Sequence, residues 1–136
     1  SSYGKKVAYE FAYQLAKKGI IIISGLARGI DSYAHLGAVK AKGKTIAVLG
    51  SGFNHIYPAE HKGLCIEIMK NGGSIITEYS PETKPIPTNF PSRNRIISGL
   101  SNGVLIVEAK QKSGTLITVD HALDQGKEVF VIPRKY

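Results

Sequence analysis

The sequence has few cysteines, few acidic residues and no long apolar run. One cysteine, Cys65, occurs among 136 residues, so no internal disulfide can form, and its place on the apolar side of a predicted helix favours a packed core thiol over a nucleophile. No apolar run is longer than that from Ile20 to Ile23, which is far too short to cross a membrane. Because no signal-peptide pattern opens the chain either, we expect a soluble, cytoplasmic protein with no membrane partner.

Acidic residues are outnumbered by basic residues, 10 against 18, which gives a formal net charge of +8. This excess indicates the kind of partner: nucleic acid, a phosphorylated ligand or an anionic surface. The four histidines, at positions 35, 55, 61 and 121, have no metal-ligand spacing with one another or with the cysteine. We therefore expect no metal.

Helical and strand-like patterns alternate along the chain. Apolar residues at helical spacing predict helices over 3–18, 32–42, 60–71 and 115–125 and another that begins near Pro91, whereas β-branched runs predict strands over 20–24, 45–49, 74–78, 103–108 and 128–132. No hairpin signal separates the strands, so the pattern predicts an α/β fold with one doubly wound, mainly parallel sheet. In such a fold a chain that opens on a helix is expected to lack a first strand. We expect residues 1–136 to be one domain and a fragment of a longer protein.

The stretch from Asn89 to Gly99 concentrates cations at the start of a predicted helix. Pro91 suits the first helical position, which places two arginines and an asparagine in the first turn, where free backbone N–H groups and the helix dipole favour an anion. These residues are Arg93, Asn94 and Arg95. Neighbouring arginines repel each other, so an anionic ligand is the natural compensation. The alternative is that one arginine pairs with an acid such as Glu78 or Glu108.

The turns after the predicted strands share one edge of the sheet, which is where open α/β sheets bind ligands. These turns contain most of the turn glycines and five cations: Arg28, Arg93, Arg95, Lys110 and Lys112. Backbone amides and guanidiniums would therefore face the same edge. We expect this edge to hold phosphate oxygens.

Two glycine motifs invite a nucleotide-binding interpretation. Gly50-x-Gly52 follows a strand, but His55 stands where a dinucleotide fingerprint needs its third glycine, which disfavours NAD. The segment from Gly37 to Thr45 ends like a P-loop, but its spacing is wrong and it precedes a strand instead of following one. Neither motif predicts a cofactor, and we expect none.

Other polar groups have an ordinary structural interpretation beside a chemical one. Asp31 and His35 lie four residues apart, and we expect a helix cap and an interior or helix-face histidine rather than an acid–base pair. Ser113 and Gly114 begin a predicted helix, where a hydroxyl and amides form either a phosphate site or a plain N-cap. No nucleophile, base and orienting acid fall into one set, so we expect no enzyme activity.

The motifs in combination resemble those of the DNA-processing protein A family, also called DprA or Smf. They are Ser24-Gly-Leu-Ala-Arg-Gly-Ile-Asp31, Lys44-Thr-Ile-Ala-Val-Leu-Gly50, Ile56-Tyr-Pro58, Glu78-Tyr79, Phe90-Pro-Ser-Arg-Asn-Arg-Ile-Ile-Ser-Gly-Leu100 and, after Glu108-Ala109, Lys112-Ser-Gly-Thr-Leu-Ile-Thr118. The resemblance extends over nearly the whole chain. It implies an extended Rossmann-like domain that binds single-stranded DNA without catalysis.

The resemblance also implies partners and site residues. Such proteins protect incoming strands in the natural transformation of competent cells, load the RecA recombinase for DNA recombination and form homodimers. Two turns would cradle phosphates: Ser24, Gly25, Arg28 and Gly29, with Lys112, Ser113 and Gly114. Phe90 would stack on a base, which agrees with how aromatic rings in basic grooves hold single strands. Arg93, Asn94 and Arg95 would maintain the shape or charge of the pocket.

Two other functions are compatible with the residues. One is a Rossmann-like enzyme that acts on a nucleotide or another phosphorylated small molecule, with Glu78 or Glu108 as its acid. The other is an interaction scaffold whose basic face binds an acidic protein.

Overall fold

The computed structural model describes residues 1–108 and 114–133. Within them the elements are α1 (Ser2–Lys17), β1 (Ile22–Ser24), α2 (Ile30–Lys40), β2 (Thr45–Val48), α3 (Lys62–Lys70), β3 (Ser74–Ile76), α4 (Asn89–Leu100), β4 (Gly103–Ile106), α5 (Gly114–Asp124) and β5 (Glu128–Val131). Two short 3₁₀ turns, Phe53–His55 and Ala59–His61, lie between β2 and α3. The predicted order of helices and strands is confirmed, with every strand shorter than its sequence pattern suggested.

The strands pair in parallel, as predicted, but they form two sheets. One sheet has the order β1-β2-β3, with Ile23 opposite Ile46 and Ala47 opposite Ile75, and the other consists of β4 and β5. The predicted α/β fold with parallel strands is confirmed, and within the described residues its strands are divided between these two sheets. Where β1 and β4 would have to pair, a cavity of about 860 Å³ lies between them, lined also by side chains of α1 and α4. The strand expected ahead of Ser1 remains a prediction.

Each sheet has its own apolar core. Helices α2 and α3 pack on the first sheet through a buried cluster: Leu26, Val39, Ala47, Leu49, Cys65 and Ile68. On the second sheet, Val104 and Ile106 pack against Ala122 of α5. Cys65 is 2% exposed, which confirms the core thiol, and burial raises its pKa. Within the described residues no helix is long and apolar enough to cross a membrane.

Helix α1 packs closely on α2 because small residues line the contact. Ala8, Ala12 and Ala16 are its buried side chains, and on α2 a Cβ at Gly37 would lie 2.4 Å from the carbonyl oxygen of Tyr9. The larger side chains of α1 are therefore left to other faces of the helix.

Candidate functional site

The turn after β1 is held from inside by α2. The amides of Gly25 and Ala27 donate to Oδ2 of Asp31, at 3.1 and 3.3 Å. The amide between them, that of Leu26, donates to Nε2 of His35 at 3.3 Å. These three consecutive amides are therefore used by the fold, and a ligand at this turn would meet Arg28 and Gly29 instead.

The predicted capping role of Asp31 is wrong. Helix α2 begins at Ile30, two residues earlier than expected, because Gly29 occupies the N-cap position with φ +85°, which suits glycine. Asp31 is thus the second helical residue, and its carboxylate accepts hydrogen bonds from the preceding turn.

Two histidines hold the strained residue of this turn. Leu26 has φ +64°, and while its amide donates to His35, its carbonyl oxygen lies 2.7 Å from Nδ1 of His61. Nδ1 of His35 lies 2.8 Å from the hydroxyl of Thr45, which donates to the carbonyl of Ile22, so the His35 proton is on Nδ1. Burial lowers the pKa of His35 to about 4. Of the interior and helix-face positions predicted for His35, the structure shows the interior one.

Arg93 connects the ends of β1 and β2. Helix α4 begins at Asn89, so Arg93 is its fifth residue and the predicted first-turn position is wrong. The side chain is 4% exposed, and Nη1 donates to the carbonyl oxygens of Gly25 and Val48, at 2.9 and 2.6 Å. Burial lowers its pKa. Arg93 therefore shapes the pocket from inside.

Glycines 50 and 52 allow other chain segments to approach the end of β2. A Cβ at Gly50 would lie 2.8 Å from Cδ1 of Phe90, and one at Gly52 would lie 2.0 Å from the carbonyl oxygen of Ser80. Nδ2 of the buried Asn89 donates to the carbonyl of Gly50 at 3.0 Å, which fixes the start of α4 against this turn. The Gly50-x-Gly52 motif thus has a packing role here.

Four side chains form what we call the aromatic row: Arg28, Tyr57, Phe90 and Arg93. The guanidinium of Arg28 lies 5.2 Å from the centre of the Tyr57 ring, and the rings of Tyr57 and Phe90 are 5.7 Å apart with an interplanar angle of 49°. The Arg93 guanidinium lies 5.5 Å from the Phe90 ring. Tyr57 is 41% exposed and Phe90 half-buried, so ring surface remains accessible.

The exposed end of the row is an ion pair. Nε and Nη2 of Arg28 donate to the two carboxylate oxygens of Glu60, at 2.8 and 3.1 Å, and Nη1 donates to the Tyr57 hydroxyl at 3.1 Å. These bonds lower the pKa of Glu60 to about 2 and raise that of Arg28. Both side chains are more than half exposed.

Tyr57 and Glu60 belong to the candidate site but are not among the binding residues predicted from the sequence. The position of Tyr57 beyond β2, at the binding edge and inside the Ile56-Tyr-Pro58 motif, was the available signal. No spacing rule links Glu60 to Arg28, because the two residues are 32 positions apart.

The remaining predicted site residues lie in different surroundings. Ser24 and Asn94 line the cavity between the two sheets, and Nε of Arg93 donates to the side-chain oxygen of Asn94 at 3.0 Å. Arg95 forms an ion pair with Glu78, the alternative considered from the sequence. Lys110, Lys112 and Ser113 lie outside the described residues, and Gly114 is described only as the first residue of α5.

The acids available for catalysis are engaged by other groups. Glu78 accepts from Arg95, and Glu108 accepts from the hydroxyl of Ser1. In the described ranges, no group of three or more histidine, cysteine, aspartate or glutamate side chains could hold a metal ion. The site offers two partly exposed aromatic rings beside a guanidinium, which suits planar groups linked to phosphates.

Comparison with known proteins identifies similar chains. The family model described as DNA recombination-mediator protein A matches residues 1–136. The DNA processing protein DprA of Bacillus subtilis is 50% identical over 133 residues, 98% of this chain and 44% of the relative. This chain spans less than half the length of the curated relatives it matches first.

Two solved structures have the same fold. DNA processing protein A of Streptococcus pneumoniae is 42% identical, with a TM-score of 0.88 over 99% of this chain and 47% of that one. DNA processing protein A of Helicobacter pylori, whose structure concerns its single-stranded DNA binding mode, is 34% identical, with a TM-score of 0.89 over 99% of this chain and 61% of that one.

Proposed function

This chain belongs to the DNA recombination-mediator protein A family. We propose that it binds single-stranded DNA at the aromatic row and does not catalyse a reaction of the DNA. The observation that carries the proposal is the pair of accessible rings, Tyr57 and Phe90, beside the exposed guanidinium of Arg28. Stacking on such rings requires an unpaired base, and a nearby cation attracts the phosphate beside it.

The architecture of the site supports stacking by a preformed ring. Phe90 packs against Gly50, and Asn89 fixes the start of its helix on the carbonyl of the same glycine. The ring therefore needs little ordering when a base arrives, which favours affinity. A duplex presents no free base faces to the rings, so we expect duplex DNA to bind less tightly.

The charge of the chain supports the same partner. A net charge of +8 favours a polyanion over a neutral ligand. If several cations neutralise phosphates, the logarithm of the binding constant falls with the logarithm of salt concentration at a slope of about −0.7 for each phosphate contact on a single strand.

The test is a fluorescence-anisotropy titration of labelled oligo-dT, with duplex DNA and free mononucleotides as competitors. Phe90→Ala and Tyr57→Ala should each weaken binding by about 1 to 3 kcal/mol if a base stacks on each ring. Phe130→Ala is the matched control, because Phe130 is an exposed phenylalanine on β5, outside the row. Equal affinity of all three variants for oligo-dT, with folding intact, would contradict the proposed site.

The competitors separate this proposal from the enzyme interpretation. Displacement by single strands but not by mononucleotides is expected of a strand-binding domain, and no hydrolysis product should accumulate. Displacement by mononucleotides at comparable concentration would favour a small-ligand enzyme.

For the longer protein we propose the role that the family description names, recombination mediation. It would protect incoming single strands in natural transformation, act as a homodimer in the cytoplasm and load RecA onto the strand. A strand-exchange assay with RecA, with and without the longer protein, tests the loading step. Analytical ultracentrifugation tests the dimer.

A further inference from the structure

A row of lysines and tyrosines runs along the surface of α1 and is not used by the proposed site. Lys5, Tyr9, Tyr13 and Lys17 follow one another at intervals of four residues, so they share one face of the helix. Tyr33 of α2 joins them, and we call these five side chains the lysine–tyrosine ladder. Within the ladder Lys17 and Tyr33 are exposed and the other three are partly exposed.

The ladder has a regular internal geometry. The rings of Tyr9 and Tyr13 are 6.3 Å apart and nearly parallel, at an interplanar angle of 21°. Nζ of Lys17 lies 5.9 Å from the Tyr13 ring, and Nζ of Lys5 lies 5.8 Å from the Tyr33 ring. One cation thus lies beside the Tyr13 ring of the stacked pair, and a second lies beside the ring of Tyr33.

Packing of the core does not account for these rings. The buried side chains of α1 are alanines, and it is the backbone of Tyr9, not its ring, that Gly37 of α2 approaches. The rings and ammonium groups remain at the surface, where aromatic rings interleaved with cations are the features that bind single-stranded nucleic acid.

The ladder begins beside the aromatic row. Cε of Lys5 lies 4.0 Å from where a Cβ at Gly29 would be, and Gly29 follows Arg28 directly. From Lys5 to Lys17, α1 extends about 18 Å away from that turn, at about 1.5 Å per residue. A strand bound at Arg28 could continue along the helix without leaving the surface.

We propose that the lysine–tyrosine ladder is a second contact track for the single strand, which binds bases on Tyr9 and Tyr13 and phosphates through Lys5 and Lys17. This inference rests on the proposed function. Glu10 is the acidic residue among those lining the groove beside Lys5 and Tyr9, so its carboxylate opposes a polyanion there.

The experiment compares two lengths of labelled oligo-dT on the 136-residue chain: the shortest that depends on Phe90 and one long enough to reach the ladder. The double variant Tyr9→Leu with Tyr13→Leu removes the rings but keeps apolar side chains suited to a helix. It should lower the affinity for the long oligonucleotide by about fivefold or more and leave the affinity for the short one unchanged. Glu10→Gln should strengthen binding of the long oligonucleotide.

The charge test has a matched control. The double variant Lys5→Ala with Lys17→Ala should lower the affinity for the long oligonucleotide and make its salt dependence less steep. The control, Lys18→Ala with Lys62→Ala, removes two exposed lysines outside the ladder and should change both quantities less. Photocrosslinking of iodouridine-containing strands should label Tyr9 or Tyr13.

The outcomes separate the two proposals. If Phe90→Ala weakens both oligonucleotides while the tyrosine variant binds the long one like the unsubstituted chain, the ladder is not a contact track and the proposed function stands. If the unsubstituted chain binds no oligo-dT, both proposals fail.

Discussion

The backbone of Gly25 lies between the carboxylate of Asp31 and the guanidinium of Arg93. Its amide donates to Oδ2 of Asp31 at 3.1 Å, and its carbonyl oxygen accepts from Nη1 of Arg93 at 2.9 Å. A Cβ at this position would lie 2.6 Å from Cζ of the arginine, so only glycine leaves room for the guanidinium. The carboxylate of Asp31 on α2 and the guanidinium of Arg93 on α4 therefore both bond to the backbone of Gly25. These two bonds hold α2 and α4 at the end of β1.

Removal of the Arg93 guanidinium should destabilise the fold. In Arg93→Met, the carbonyl oxygens of Gly25 and Val48 lose a charged donor inside the protein, and we expect the free energy of unfolding to fall by about 2 to 4 kcal/mol. Urea denaturation followed by circular dichroism measures the change.

Arg95→Met is the control for this prediction. Arg95 is two residues away on the same helix, and it forms a partly exposed ion pair with Glu78, with side-chain exposures of 47% and 31%. That variant should lose less than about 1 kcal/mol. Equal losses in the two variants would contradict the buried, structural role of Arg93.

Gly50→Ala should disturb the binding site more than the fold. Its methyl group would lie 2.8 Å from Phe90, which must move, so oligo-dT affinity should fall while stability drops by only about 1 kcal/mol. Gly63→Ala is the control, because nothing lies within 4 Å of its Cβ position, and alanine inside α3 should stabilise by about 0.5 to 1 kcal/mol. Anisotropy titrations measure the oligo-dT affinity of both variants, and urea titrations measure their stability. Unchanged affinity in Gly50→Ala would place Phe90 outside the site.

Local sequence signals predicted the order of the elements and the core position of Cys65, and an interior position was one of the two predicted for His35. Apolar periodicity is a property of residues close together in the sequence. It therefore locates helices and strands but does not show which strands pair with each other. The gap between β1 and β4 depends on which strands meet in space. The sequence pattern therefore predicted one sheet where the described residues form two.

The environment of the arginines could not be read from spacing. Arg93 and Arg95 look alike in the sequence, yet Arg93 is buried on backbone carbonyls and Arg95 is paired at the surface. Two residues apart on a helix, the side chains point about 200° apart, so one faces the ends of β1 and β2 while the other faces Glu78. Which of the two faces meets the strands is decided by how α4 packs in the fold. The pairing of Arg28 with Glu60 depends in the same way on tertiary contact.

Stability should depend on pH through His35. Burial lowers its pKa from 6.5 to about 4 in the folded state, so between these values the unfolded chain binds the extra proton. The contribution is fully present above pH 6.5 and is lost as the pH falls towards 4, at up to about 1.4 kcal/mol per pH unit. Urea titrations between about pH 7 and 5.5 measure this slope, because Glu60, with a pKa of 4.5 when unfolded and about 2 when folded, contributes mainly below that range. In His35→Gln the slope should be smaller, and an equal slope in both proteins would assign it to other groups.

The ion pair between Arg28 and Glu60 should restrain DNA binding. Glu60 occupies Nε and Nη2 of the arginine and places a carboxylate beside the aromatic row, where it repels phosphates. Glu60→Gln should therefore raise oligo-dT affinity at low salt, whereas Arg28→Ala should lower it and reduce the salt slope by about 0.7, the value for one phosphate contact on a single strand. Anisotropy titrations over a range of salt concentrations measure both effects. Glu67→Gln, which removes an exposed acid that pairs with Lys70 on α3, controls for net charge. An equal gain in affinity in Glu60→Gln and Glu67→Gln would show that overall charge, and not the release of Arg28, sets the affinity.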